Sequence, residues 1–141
     1  MADEVRDVVE GDGYAVANVD ALADGPGFRK IRRALGVTAF GVNAIEIPPG
    51  FQTGRHFHEQ QEELYFVHRG RIRLRMNDDT EHVLGPGGLA RVDASTIRQI
   101  ENVGDEPALY VIAGGKDGYV GRDGVLPEGE TSRFGAAGEP G

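Results

Sequence analysis

Cysteine is absent from this 141-residue chain, and so is tryptophan. Without a thiol there are no disulfides, no thiolate metal ligands and no cysteine nucleophile, so any metal would have to be held by imidazole and carboxylate. The same absence leaves the redox compartment open. Lysine is scarce as well: Lys30 and Lys116 are the only lysines, and every other basic residue is arginine. Positive charge is the minority sign, with 15 Lys+Arg against 23 Asp+Glu and a formal net charge of −8. Such a surface repels phosphate backbones and anionic headgroups, which argues against nucleic acid and membrane as partners. No stretch approaches the roughly 18 consecutive apolar residues of a membrane span. The start, MADEVRDVVEGDG, is acidic where a secretory leader is basic and then apolar, so a cytoplasmic location is expected.

Long helical periodicity is also missing. What the chain has is short β-rich stretches punctuated by glycine and proline, in a length that suits one domain around one core. Residues 1–13 are charged and aperiodic and read as a flexible arm. YAVANVDAL then suits a short strand or a helix start, and ADGPG a turn. FRKIRRALG alternates as an edge strand would, with a short helix competing for the same residues. VTAFGVNAIEIPPG is a strand rich in β-branched residues, stopped by Pro48, Pro49 and Gly50. ELYFVHRG and RIRLRMND read as a hairpin turning at Gly70, the second strand burying Ile72, Leu74 and Met76 and wetting Arg71, Arg73 and Arg75.

EHVLGPGGLARVD supplies two more short strands, and RQIENVGDEPALYVIAGG a turn followed by an apolar strand from Ala108 to Ala113. The expected class is all-β, an antiparallel sandwich or barrel over residues 14–113. Residues 114–141 read as a glycine-rich tail, irregular or packed only through Tyr119, Val125, Leu126 and Phe134.

Three of the four histidines fall in RHFHEQQEELYFVHRG, residues 55–70. His56 and His58 are two apart, so on a strand both point to one face. The polar EQQ suits a turn that returns a glutamate beside them. Two imidazoles and one carboxylate leave positions open on a metal, a donor set suited to non-haem Fe(II) and acceptable to Mn, Ni or Zn. A closed structural zinc site would need a fourth ligand. Alternation does not choose the glutamate: Glu63 shares parity with Tyr65 and Val67, Glu62 with Leu64, Phe66 and His68.

Gly50, His56, His58, Glu63 and Gly70 stand at the intervals of the first conserved motif of the cupin superfamily, and ELYFVHRG is similar to the usual continuation of that motif. The chain therefore resembles a small single-domain cupin. The resemblance implies a double-stranded β-helix, or jelly-roll barrel, with His56, His58 and Glu63 as metal ligands and homodimerisation through the N-terminal strand. The second cupin motif is matched only at its outer anchors, Gly87 and Asn102. Asp93 and Ser95 stand where proline and glycine are usual, and Arg98 where a fourth ligand, histidine, is usual.

Arginine has no lone pair for a metal, and its charge must be absorbed. Two arrangements do this. In one, the three ligands hold a divalent metal (Fe, Mn, Ni or Zn) while Arg98 leans away to bind an anionic substrate, with Tyr65 offering its hydroxyl. In the other the pocket is metal-free and Arg98 pairs with Glu63. With the first, the resemblance to cupins implies an enzyme of dioxygenase, decarboxylase or isomerase type acting on a small organic anion; the second implies a non-catalytic ligand-binding or sensing protein. A metal-independent isomerase with a histidine base is a third reading, weaker because two same-face histidines beside Glu63 suit a metal better than an acid and base pair. His68 and His82 read as exposed bystanders, and GPGG at residues 85–88 as a turn, since no helix follows to form a phosphate site.

Overall fold

The computed structural model describes residues 3–77 and 80–127. In chain order its elements are β1 (Val9–Gly11), β2 (Tyr14–Val16), a 3₁₀ turn (Val19–Ala21), β3 (Gly27–Arg29), α1 (Ile31–Leu35), β4 (Gly41–Ile47), β5 (Phe57–His58) and β6 (Glu62–Arg69). They continue with β7 (Ile72–Met76), β8 (Thr80–Leu84), β9 (Leu89–Val92), β10 (Arg98–Asn102), β11 (Ala108–Gly115) and β12 (Gly124–Val125). Among the described residues no helix is long and apolar enough to cross a membrane.

Two antiparallel sheets face each other. One has the order β3-β4-β11-β6-β9. The other, β10-β7-β8, is widened by residues 52–56, which bridge to β10 at Gln52–Glu101 and His56–Arg98, and by the β5–β12 pair beyond them. Period-two alternation sets the faces. On β7, Ile72 and Leu74 are buried while Arg73 and Arg75 turn outward, and on β6 the buried residues are Glu63, Tyr65 and Val67. Ile45, Ile47, Val92, Ile100, Ala108 and Tyr110 complete the core between the sheets, each large side chain contributing about 1.5–3 kcal/mol by leaving water. The arginines of β7 find acidic partners on the flanking strands of the same sheet: Arg73 meets Glu101 at 2.8 Å and Arg75 meets Glu81 at 2.7 Å.

Several local expectations are corrected. β6 and β7 do not form a hairpin: β6 pairs with β11 and β9, whereas β7 pairs with β10 and β8. Gly70, at φ 84°, turns the chain from one sheet to the other over Ala108, where a Cβ would lie 2.6 Å from the Ala108 Cα. The two readings of FRKIRRALG both occur, in succession, as β3 and then α1, which Gly36 ends at φ 74°. Residues 9–11, placed in a flexible arm, form a strand that hairpins with β2. The last long strand runs on to Gly115, and the segment expected to be irregular beyond it contributes β12, paired with β5 through Gly124–His58 and Val125–Phe57. Phe134 lies outside the described residues.

Candidate metal centre

The two sheets deliver the cluster from opposite sides. Residues 53–58 are tied to β10 and the loop before it by main-chain bonds: Arg98 N donates to His56 O at 2.8 Å, His56 N to Arg98 O at 3.1 Å and His58 N to Ala94 O at 2.8 Å. This pairing aims His56 and His58 inward, 5% and 3% exposed. Their rings meet edge to face, with centroids 5.2 Å apart. From the facing sheet, β6 brings in Glu63. One donor atom from each of His56, His58 and Glu63 lies within 4.8 Å of the others. The register question is answered by burial: Glu63 is buried, while Glu62 is exposed and paired with Arg91.

Glu63 Oε1 accepts a 2.7 Å hydrogen bond from the Tyr65 hydroxyl and lies 3.3 Å from His58 Nε2 and 3.8 Å from Arg98 Nη2. Burial alone would raise the Glu63 pKa, but the contacts with His58, Arg98 and Tyr65 outweigh it and hold the carboxyl below its ordinary value. Burial and the neighbouring carboxylate push Tyr65 well above the usual phenol range, so its hydroxyl stays protonated and donates.

The other face of His58 rests on a residue that sequence reading missed. His58 Nδ1 lies 2.7 Å from Asp123 Oδ1. Asp123 also accepts from Gln61 Nε2 at 2.6 Å and from the backbone N–H of Gln60 and Gln61 at 2.7 and 3.0 Å. Burial opposes ionisation of Asp123, yet the donors from Gln61, Gln60 and His58 prevail and hold its pKa well below the carboxylate range. A carboxylate in that state only accepts, so Nδ1 carries a proton, and unless Nε2 carries a second one its lone pair faces Glu63. His58 Nε2 is buried without a hydrogen-bond partner. A lone pair and a carboxylate oxygen 3.3 Å apart repel unless a cation lies between them. That is the condition a metal ligand set meets, and the residues present fit a divalent ion.

Arg98 is fully buried. Its guanidinium donates to the backbone carbonyls of Asp93, at 3.0 Å, and Ala94, at 3.3 Å. It is not among the residues that line the cavity in front of the cluster, and its Nη2 lies 3.8 Å from Glu63 Oε1. Asn102, the matched outer anchor of the second motif, is a structural residue: its amide donates to Ile47 O and Glu106 O and its carbonyl accepts from Gly104 N. His68 and His82 are exposed.

The cavity has a volume of about 100 Å³. Its inner end is His56, His58, Glu63 and Tyr65, its walls are largely apolar, and one side is formed by residues 119–123 of the segment after β11. Arg32 of α1 packs over the Tyr119 ring at 4.1 Å, joining that segment to α1. Nothing in the sequence signalled Asp123, Arg32 or Gln61 as cavity residues.

A family model described as a cupin domain matches residues 43–114, half of the chain and both sides of the cluster. The chain belongs to the cupin family. Its fold is the antiparallel double-stranded β-helix of these proteins. No curated protein matches this cupin in sequence. Among solved structures, a cupin protein from Bacteroides fragilis is similar over 82% of this chain and 98% of its own, at 25% identity and TM-score 0.63. A double-stranded β-helix protein from Klebsiella pneumoniae is similar over 80% and 96%, at 16% identity and TM-score 0.66, a likeness of fold alone. A putative sugar phosphate isomerase from Acidithiobacillus ferrooxidans is 27% identical with TM-score 0.57, over 62% of this chain. The chain spans only about half of that relative, 56%.

Proposed function

We propose that this cupin binds a divalent metal ion through His56, His58 and Glu63 and acts on a small organic anion that enters beside them. The observation that carries the reading is the buried His58 Nε2, without a hydrogen-bond partner and 3.3 Å from Glu63 Oε1. The donor set suits Fe, Mn, Ni or Zn, and three protein ligands leave coordination positions for a ligand. Such an ion would supply Lewis-acid polarisation of a bound oxygen.

The remaining roles fall to the chain itself. Asp123 keeps the His58 proton on Nδ1, and Tyr65 holds its proton on the Glu63 side while its oxygen can still accept from a ligand. The largely apolar wall lowers the local dielectric and raises the worth of each charge. Charge favours an anion: a divalent ion would add two positive charges at the inner end of a cavity whose lining also includes Arg32. Arg98 adds to that sign from behind Glu63. Size favours a compound of a few carbons, since cavities of about 150 Å³ hold benzene. The reaction class stays within dioxygenase, decarboxylase and isomerase chemistry, with the sugar phosphate isomerase resemblance supporting the last. We also propose a homodimer through the N-terminal hairpin, where Val9, Tyr14 and Val16 are exposed.

A second reading rests on Arg98 lying 3.8 Å from Glu63: a sensing pocket in which a proton on His58 replaces the metal. Reconstitution of metal-free protein with Fe, Mn, Ni and Zn separates the two. The metal reading expects one ion per chain, lost in His56→Ala and Glu63→Ala. Failure to retain any of these ions leaves the second.

A further inference from the structure

The segment after β11 reaches back to the site 65 residues earlier in sequence. Gly124 and Val125 pair with His58 and Phe57, and Glu59 N donates to Asp123 O at 3.1 Å. The main chain thereby fixes Asp123 opposite the His58 ring. The carboxylate is fully engaged: Oδ1 takes His58 Nδ1 and Gln61 Nε2, and Oδ2 takes the N–H of Gln60 and of Gln61. Three of these four donors belong to the turn between β5 and β6, the turn that spaces the histidines from Glu63.

We propose that Asp123 is a positioning residue for the metal centre, which holds His58 in the Nδ1–H tautomer and sets the ring so that Nε2 faces Glu63 and His56. The inference rests on the proposed metal reading and extends it to a residue outside the matched cupin region. An imidazole that donates its distal N–H to a carboxylate is fixed in tautomer and orientation and is a more basic ligand, and loss of such a partner costs about 10–100-fold in metal affinity. Asp123 also sits in the wall formed by residues 119–123. Displacement of that wall therefore loosens His58, and the segment joins cavity shape to ligand orientation.

The test compares the full-length wild type with Asp123→Ala and Asp123→Asn. The dissociation constants for Zn and Mn are measured by chelator competition, and the ¹⁵N shifts of the His58 ring in metal-free protein, assigned with His58→Ala, report its tautomer. The expected result is a 10–100-fold loss of affinity in Asp123→Ala, with the ring proton leaving Nδ1. Asp123→Asn, which can turn either its carbonyl or its amide to the ring, gives an intermediate affinity and a mixture of tautomers. Wild-type affinity together with an unchanged Nδ1–H ring in both variants overturns the proposal, and should Asp123→Ala not fold, Asp123→Asn decides alone. If the wild type takes up no metal, the proposed function fails on its own account. The tautomer comparison then still decides whether Asp123 positions His58.

Discussion

His58 Nε2 and Glu63 Oε1 face each other across 3.3 Å in a buried site, brought together from opposite sheets, and no hydrogen bond joins them. Because Asp123 occupies the other ring nitrogen, the pair needs either a proton or a metal ion between its atoms. In the proposed metal centre both atoms would hold the same cation, so each is required for its effect. A divalent ion at 100 times its dissociation constant stabilises the folded state by about 2.7 kcal/mol, and for a chain of this size each kcal/mol moves Tm by roughly 2–4 °C. Thermal scans with and without added Zn or Mn are expected to show that rise in the wild type and none in His58→Ala or Glu63→Gln. A full rise in either variant would place the ion elsewhere.

Arg98 pairs in register with His56 across an antiparallel bridge, so the two side chains share a face. Directly opposed residues have Cβ atoms about 4.5–5.5 Å apart. Arg98→His therefore sets a third imidazole at the rim of the cluster and removes the guanidinium lying 3.8 Å from Glu63. A ligand is added and a cation that competes for Glu63 is deleted, both in the same direction. Chelator competition is expected to show metal affinity rising at least tenfold, with an unchanged stoichiometry of one. Equal or weaker affinity would mean that Arg98 is not what limits the site.

His56, His58 and Glu63 were legible because they lie in one continuous motif whose spacing survives in three dimensions. The parity of β6 was not, since Leu64 and Phe66 are apolar yet 48% and 38% exposed, so hydrophobicity marks both faces of the strand. Gly70 signalled a turn correctly, but a turn residue does not say whether the next strand stays in the same sheet. Here it does not. Asp123 was invisible for a different reason: it sits in a polar, glycine-rich stretch, and its role comes from long-range pairing of β12 with β5 that no local pattern encodes. Arg98 was visible as a departure from the motif, while its burial on the carbonyls of Asp93 and Ala94 depended on the loop before β10.

The carboxylates of the site contribute to the acid side of the stability profile. Both Glu63 and Asp123 are held below their ordinary values, 4.5 and 3.8, by the donors around them. A depressed folded-state pKa means that the unfolded chain binds the proton first, so the stabilisation is full above the unfolded values and is lost as pH falls toward the folded ones. Chemical denaturation of metal-free protein is expected to show this contribution complete above about pH 5 and declining below about 4.5. In Asp123→Asn the decline should be shallower, because one of the two groups no longer titrates. An identical slope in wild type and variant would show that Asp123 carries no linked proton.

Gly70 joins two faults in any larger residue. Its φ of 84° lies in the left-handed region, where a side chain costs about 1–2 kcal/mol. The added Cβ would also stand 2.6 Å from the Ala108 Cα and 3.1 Å from the Pro107 carbonyl oxygen. Those two are main-chain atoms, so no rotamer change relieves the clash, and the connection from β6 to β7 or the start of β11 has to shift. The strain falls where the chain crosses between the sheets, and Gly70 does not line the cavity. Gly70→Ala is therefore expected to lower stability by about 2 kcal/mol or more, within the range of strained-backbone substitutions. The urea midpoint should fall at constant m, and the protein that remains folded should bind metal as the wild type does. A loss below about 1 kcal/mol would contradict the close approach of Gly70 to Ala108.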